Sequence, residues 1–369
     1  MIKILCIHQG YELYGSDRMF LLSLKAFREK YGESKITVHL PKEGDLSEII
    51  LRDKLSDELV IRDMAILRKS EIKKFKFAKI FRQLFNILSK IKICNEYDIV
   101  YVNSIVVIDY LIACRFTNAK TIVHIHEIPT KAVTFFFQQL IRFSQSHAIF
   151  ISKAVKKNFS RIRNGHLVIN GIKGFKPCKG EQKEVMNILH IGRINAWKGQ
   201  DILLRSIIGL DSLDKAKIRV HIVGGVFEDQ SHYLKELKIT VSKFHLDSII
   251  KFYDFSNNPE EDYRWADVVV VPSKLPEPFG LVAVEAMSAG AVVIAAQHGG
   301  LSEVFEDGIS GIYFKPNCER ELKKAIISVL NNTEKMNFLS INGRELFLRK
   351  FTESAYISRF ISALGNIEK

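Results

Sequence analysis

Two glutamates eight positions apart, Glu277 and Glu285, bracket a Pro278-Phe279-Gly280 turn and the helix-forming apolar run that starts at Leu281. A carboxylate only accepts hydrogen bonds, so each glutamate suits vicinal hydroxyls of a sugar, while the unpaired N–H groups of a helix's first turn suit a phosphate. One short segment therefore has groups for all three parts of a nucleotide-diphosphate sugar. The competing reading is structural, because the dipole and free donors of a helix start favour an acidic residue on their own account.

A second loop offers the complementary charge. In Gly192-Arg193-Ile194-Asn195-Ala196-Trp197-Lys198-Gly199-Gln200, Arg193 and Lys198 are the only cations, and each has a glycine beside it. Arg with its planar fork and Lys as a point charge can clamp a diphosphate; as solvated surface cations they would do nothing. Near the start of the chain, His8-Gln9-Gly10-Tyr11-Glu12-Leu13-Tyr14-Gly15-Ser16-Asp17-Arg18 is a loop with two glycines that leads into an amphipathic run. Ser16 or Asp17 is its expected helix cap, and its spacing is not the dinucleotide fingerprint. His124-Ile125-His126-Glu127 puts two histidines on one face of a strand. Without a third ligand nearby this is a poor zinc site, so no metal is expected; His124 reads as structural and His126, at the strand's end, as a site residue.

These residues need a scaffold, and the chain's periodicity supplies one. Short apolar runs alternate with helix-length segments: 2–7, 36–40, 98–102, 121–124, 148–151 and 167–169, then again 187–191, 218–223, 249–252, 267–271, 291–295 and 311–314. The alternation predicts an α/β fold of two doubly wound parallel-sheet domains, with the candidate loops at the carboxyl ends of their strands. The stretch 171–184, rich in Gly, Lys and Pro, reads as a hinge. At 369 residues, 47% hydrophobic and 26% charged, the chain suits two globular domains, and it has no uninterrupted apolar run of spanning length. Five scattered cysteines show no metal or redox spacing and fit a reducing, cytoplasmic setting.

The ordered set Gly15-Ser16-Asp17-Arg18, His126-Glu127, Asn170-Gly171-Ile172, Gly192-Arg193 with Lys198-Gly199, Glu277 to Glu285, and Gly299-Gly300-Leu301-Ser302-Glu303 with Glu306-Asp307-Gly308 and Gly311 resembles the large retaining glycosyltransferase family of GT-B fold, the bacterial family-four type also called glycosyl transferases group 1. The resemblance spans almost the whole chain, and the Glu-x7-Glu and Gly-Arg…Lys-Gly elements carry most of it. It implies two Rossmann-like domains facing a deep cleft: residues 1–172 on the acceptor side, a linker at 173–184, a nucleotide-sugar-binding domain at 185–350, and a helix at 351–369 returning to the first domain.

By the same resemblance, Glu285 binds the donor's ribose and Glu277 the donor sugar near the reacting carbon. Phe279, Gly280 and Leu281 offer backbone N–H groups, Arg193 and Lys198 neutralise the leaving diphosphate, Gly15 lies against that diphosphate, and His126 sits beside the transferred sugar. His126 and Glu277 are the catalytic pair in this reading. It calls for no cofactor, the nucleotide sugar being a substrate. Two departures from the family pattern stand out: Glu127 where Asp is common, and Val223-Gly224-Gly225-Val226 in place of Gly-Asp-Gly, which leaves the choice of nucleotide open.

Charge points to the acceptor. Residues 1–180 carry 31 Lys and Arg against 16 Asp and Glu, whereas residues 181–369 carry 23 against 25. The first half should therefore face something anionic, and no nucleic-acid-binding signature is present, so a membrane surface and a polyprenyl-linked glycan acceptor are the expected partners. Within Arg68 to Lys92, basic residues alternate with phenylalanines. The stripe Phe77, Phe81, Leu84, Leu88 and Ile91 is expected to pack on a sheet, and the basic cluster 68–79 to meet anionic lipid. The expected activity is transfer of a hexose-type sugar, from UDP rather than GDP, in O-antigen or capsule assembly on the inner face of the membrane. Two rivals stand beside it: a nucleotide-sugar epimerase on the same fold, and a non-catalytic nucleotide-sugar-binding subunit.

Overall fold

The computed structural model describes residues 1–67, 86–177, 184–226 and 230–369. The chain divides into two units, one of residues 1–170 with 353–369 and one of residues 171–352.

In the first unit, β1 (Lys3–His8), β2 (Lys35–Leu40), β3 (Glu58–Ile61), β4 (Ile99–Asn103), β5 (Lys120–Ile125), β6 (His147–Phe150) and β7 (Gly165–Leu167) form one sheet in the order β3-β2-β1-β4-β5-β6-β7. Every pairing is parallel. The second unit repeats the plan with β8 (Met186–Ile191), β9 (Ile218–Val223), β10 (Ile250–Tyr253), β11 (Val268–Val271), β12 (Val292–Ala296) and β13 (Ile312–Phe314), ordered β10-β9-β8-β11-β12-β13 and again all parallel. Parallel strands buried on both faces read as continuous apolar runs: Ile4 to Ile7 and Val268 to Val271 are buried throughout. Both sheets run third, second, first, fourth, fifth and sixth strand in their own count, so each reverses direction between its first and fourth strands. The loops at that reversal define each unit's ligand crevice.

Three differences from the sequence reading have local causes. Strand β3 was not anticipated: its segment, Glu-Leu-Val-Ile, is a short edge strand with no fully buried residue, so it lacks a core signature. Strand β7 lies two residues before the expected 167–169, and its three residues are only half-buried. The expected apolar stripe of 77–91 falls mostly outside the described residues, as does the basic cluster 68–79. Its described part is the helix Ile87–Cys94, on which Leu88 is 76% exposed and Lys90 faces inward instead. Lys90 reaches the Asp63 carbonyl at 2.8 Å and lies over the Tyr110 ring, an aliphatic stem buried with its charge satisfied.

The last helix, Glu353–Glu368, belongs to the first unit. Tyr356 and Phe360 are fully buried, Phe360 meets Phe27 edge-on at 5.4 Å, and Lys30 pairs with Glu368 at 2.6 Å. Residues 171–177 run with the second unit. Ile172 bridges Thr352, and Phe175 stacks on Tyr263 at 5.2 Å while its N–H donates to Ser288 Oγ. The remainder of the expected linker, 178–183, lies outside the described residues. Among the described residues no helix is long and apolar enough to cross a membrane.

Candidate functional site

Polar residues gather at the reversal point of each sheet. In the second unit the loop after β8 carries Arg193 and Lys198, and the loop after β11 carries Ser273 and Glu277. Lys198 Nζ lies 2.7 Å from Glu277 Oε1, and Ser273 donates to the same oxygen. The pair is well sheltered, with side-chain exposures of 16% and 8%. Burial pushes the Glu277 carboxyl up, but the Lys198 charge and the hydrogen bonds of Lys198 and Ser273 outweigh it and hold the group below the ordinary carboxylate range. Lys198 also lies 4.7 Å from the centre of the Trp197 ring. Asn195 Oδ1 accepts from the N–H groups of Trp197 and Lys198, and Gln200 donates to the Arg193 carbonyl, so the loop's shape is set from within.

Two glycines let these loops meet. Gly199 has φ 78°, and a Cβ there would stand 1.9 Å from the Pro272 carbonyl oxygen. Only glycine permits this approach of the two loops. Gly300 donates its N–H to the Glu277 carbonyl at 2.7 Å, and a Cβ on it would stand 2.1 Å from the Pro278 oxygen. The Gly299-Gly300 element thus clamps the turn that presents Glu277, which is also bridged to Gly299.

Beyond that turn, the helix Leu281–Ala289 starts after Gly280. Phe279 sends its ring inward against Phe351 at 6.0 Å, so its contribution to a ligand is restricted to backbone. Glu285 lies within this helix, 8% exposed, and accepts from the buried Tyr263 hydroxyl at 2.6 Å.

In the first unit His126 follows β5, and its Nε2 lies 2.8 Å from Asn103 Oδ1 at the end of β4. Asn103 Nδ2 lies 2.9 Å from His8 Nδ1 at the end of β1, and His8 Nε2 is 2.6 Å from Asp17 Oδ1. Burial, reinforced by His8, pushes His126 down to about 3, so the ring is neutral at physiological pH. Glu127 accepts from Ser104 and from the His126 N–H; burial raises its carboxyl above the ordinary value. Gly15 opens the helix Gly15–Tyr31, whose cap position is Tyr14 and not Ser16 or Asp17. Asp17 acts from the third helical position instead, accepting from the Tyr14 N–H at 2.8 Å while holding His8. Among the described residues no group of three or more His, Cys, Asp and Glu has metal-holding geometry.

The sequence reading missed Ser273, His298, Tyr263, Asn103 and His8. All five act through side-chain hydrogen bonds that only the folded chain creates, and His298 Nε2 on the Ser273 carbonyl at 2.6 Å is one such contact. His8 and Asn103 had a usable signal, each being the polar terminus of an otherwise apolar strand.

Residues 173–346 match the family described as glycosyl transferases group 1. The match covers the second unit almost from end to end, 174 of the chain's 369 residues. Among curated relatives, an uncharacterized glycosyltransferase of Methanocaldococcus jannaschii is 27% identical over 236 residues, 58% of each chain. The lipopolysaccharide 1,2-N-acetylglucosaminetransferase of Salmonella typhimurium is 28% identical over 186 residues, 48% of each chain. The chain thus spans about half the length of the curated relatives it matches. Solved structures extend the likeness to the whole chain: Anabaena HepE, in complex with UDP, superposes with a TM-score of 0.82 at 21% identity over 99% of this chain and 100% of its own. WaaG, a glycosyltransferase involved in lipopolysaccharide biosynthesis, gives 0.71 at 13% over 99% and 100%. The fold class of the chain is GT-B.

Proposed function

We propose that the protein is a retaining glycosyltransferase of the family-four type, which transfers a hexose-type sugar from a nucleotide-diphosphate donor, UDP in preference to GDP, to a membrane-linked glycan. The observation that carries this reading is the sheltered Lys198–Glu277 pair at the reversal point of the second sheet. An ionised carboxylate held there by a lysine is poised for exchange: an arriving diphosphate competes for the ammonium, and the carboxylate turns to sugar hydroxyls. Arg193 joins Lys198 on the phosphates, where charge grows as the glycosidic bond to the donor breaks. The N–H groups of Phe279, Gly280 and Leu281, at a helix start, add donors without added charge. Glu285 takes the ribose hydroxyls, with Tyr263 fixing its carboxylate. From the first unit, Gly15 lies against the diphosphate and His126 beside the transferred sugar. No metal or cofactor is required in this scheme.

The UDP preference draws support from HepE, solved with UDP and with UDP-glucose. A surface-glycan acceptor draws support from the lipopolysaccharide enzymes among the relatives and neighbours. Peripheral attachment to the inner face of the membrane rests on the charge of the first half and on the helix Lys131–Ser144, which has no acidic residue and leaves Val133, Phe135, Phe136 and Phe143 exposed. Retention on vesicles with anionic lipid beyond that on neutral vesicles, at moderate salt, is the expected result.

The donor reading is tested by calorimetric titration with UDP, GDP, ADP and CMP and their sugar conjugates, repeated on Arg193→Ala. Binding of UDP that the substitution abolishes supports it. Binding of another nucleotide moves the donor class, and binding of none overturns the donor reading.

A further inference from the structure

A continuous buried chain of hydrogen bonds underlies His126. Asp17, His8, Asn103, Tyr101, His124, Ser23 and Tyr356 are all buried, and successive contacts lie between 2.6 and 2.9 Å. Asn103 is its branch point, with four neighbours on its amide: Tyr101 and His126 on Oδ1, His8 and the Ser16 carbonyl on Nδ2.

The donor inventory sets the direction of the bonds at the Asn103 amide. A carbonyl can only accept, so the amide atom 3.4 Å from Ser16 O is the NH2 group, and Oδ1 is the atom facing Tyr101 and His126. An amide oxygen accepts only, so His126 must donate from Nε2. A neutral ring protonated at Nε2 carries its lone pair on Nδ1. That nitrogen is not among the buried atoms left without a partner, and no described residue donates to it. On the other side of Asn103, His8 Nδ1 lies 2.9 Å from Asn103 Nδ2 and 3.0 Å from the Asn103 backbone carbonyl, while His8 Nε2 lies 2.6 Å from Asp17 Oδ1. His124 closes the network by donating from Nδ1 to Tyr101, which leaves its unpartnered Nε2 as a lone pair, the less costly of the two orphans.

We propose that Asn103 is a positioning residue: by accepting Nε2–H it locks His126 in one tautomer, so that Nδ1 presents an acceptor to a sugar hydroxyl. The clause about the sugar rests on the glycosyltransferase reading; the tautomer lock does not. The structure thereby assigns His126 the part of hydrogen-bond acceptor, not of proton donor, toward its ligand. A donor lacking the contacted hydroxyl would leave Nδ1 unpaired and bind less well.

The test has two independent arms. In the first, protein labelled with nitrogen-15 histidine is examined by long-range proton–nitrogen correlation, with His126 assigned by the cross-peaks lost in His126→Gln. The expected pattern is unprotonated Nδ1 and protonated Nε2, kept in Asn103→Asp, which retains the acceptor, and replaced by a tautomer mixture in Asn103→Leu. The opposite tautomer in the unsubstituted protein, or an unchanged pattern in Asn103→Leu, overturns the proposal. If Asn103→Leu does not fold, Asn103→Ser, which shortens the acceptor, takes its place under the same criterion. In the second arm, Asn103→Leu lowers kcat roughly fivefold to tenfold, as for loss of one positioning hydrogen bond, with UDP affinity unchanged and no further loss in the His126→Gln background. Additive losses overturn the coupling to His126. Absence of UDP binding altogether fails the functional reading while the first arm still decides the lock.

Discussion

At Glu277 one oxygen receives both a lysine and a serine, and the energetics of that arrangement are those of a buried ion pair. Removing one partner strands the other, so Lys198→Met should destabilise the protein by about 3 kcal/mol at neutral pH. The carboxyl's folded value lies below its unfolded value of 4.5, so the pair's contribution is complete above about pH 4.5 and is lost as pH falls through the folded value. Urea unfolding of the two proteins should therefore converge on acidification below pH 4.5; a gap that stays constant down to pH 3 would show that the pair is not the cause. Glu285 differs in accepting from a neutral hydroxyl, that of Tyr263. Glu285→Gln keeps an acceptor for Tyr263 and should move the melting temperature little, while weakening UDP binding about tenfold by loss of a charge-assisted hydrogen bond to ribose. Unchanged affinity in calorimetry would take Glu285 out of the donor site.

Among the elements, the loops matter more than the helices and strands they join. The loops after β8 and β11 are pulled together by backbone: Lys274 N–H donates to the Trp197 carbonyl at 2.7 Å, and Gly199 permits the contact with Pro272. The third partner is the Gly299-Gly300 turn after β12. Gly300→Ala must displace the Pro278–Phe279 backbone, so it should cost about 1–3 kcal/mol, in the range of overpacked sites, and should weaken donor binding through Glu277. Thermal denaturation together with UDP titration checks both effects. A stable variant with unaltered affinity would mean that the turn can relax and does not set the position of Glu277. The motif glycines were legible in the sequence as glycines, but not as spacers between particular carbonyls, because the atoms they avoid come from other strands' loops.

For the whole molecule, buried neutral histidines set the acid limit. Burial, the largest cause in each, pushes His39 and His126 down to about 3, His190 to about 4, and His124 well below its ordinary value. Their unfolded counterparts titrate near 6.5, so the unfolded chain binds more protons below that pH. Stability is complete above about pH 6.5 and falls as pH drops toward the folded values. With four such groups the slope near pH 5 approaches about 5 kcal/mol per pH unit. Urea denaturation midpoints measured from pH 7.5 to pH 5 should decline steeply; a flat profile would mean that these rings take up protons in the folded state as readily as in the unfolded one.

The apolar runs, the turn glycines and the ordered polar motifs lie in the sequence, and they suffice for two α/β domains and for a short roll of site candidates, because strand periodicity and loop composition are local properties. Strand β3 escaped that reading because an edge strand buries too little to leave a pattern. Leu88 misled it because one helix face was judged without knowing that Lys90 could be satisfied by Asp63 and Tyr110. The pairing of Lys198 with Glu277, 79 residues away, and of His126 with Asn103 and His8 was decided only by tertiary structure. Strand order, which no local pattern encodes, puts the first and fourth strands of each sheet side by side, and the residues that follow them become neighbours.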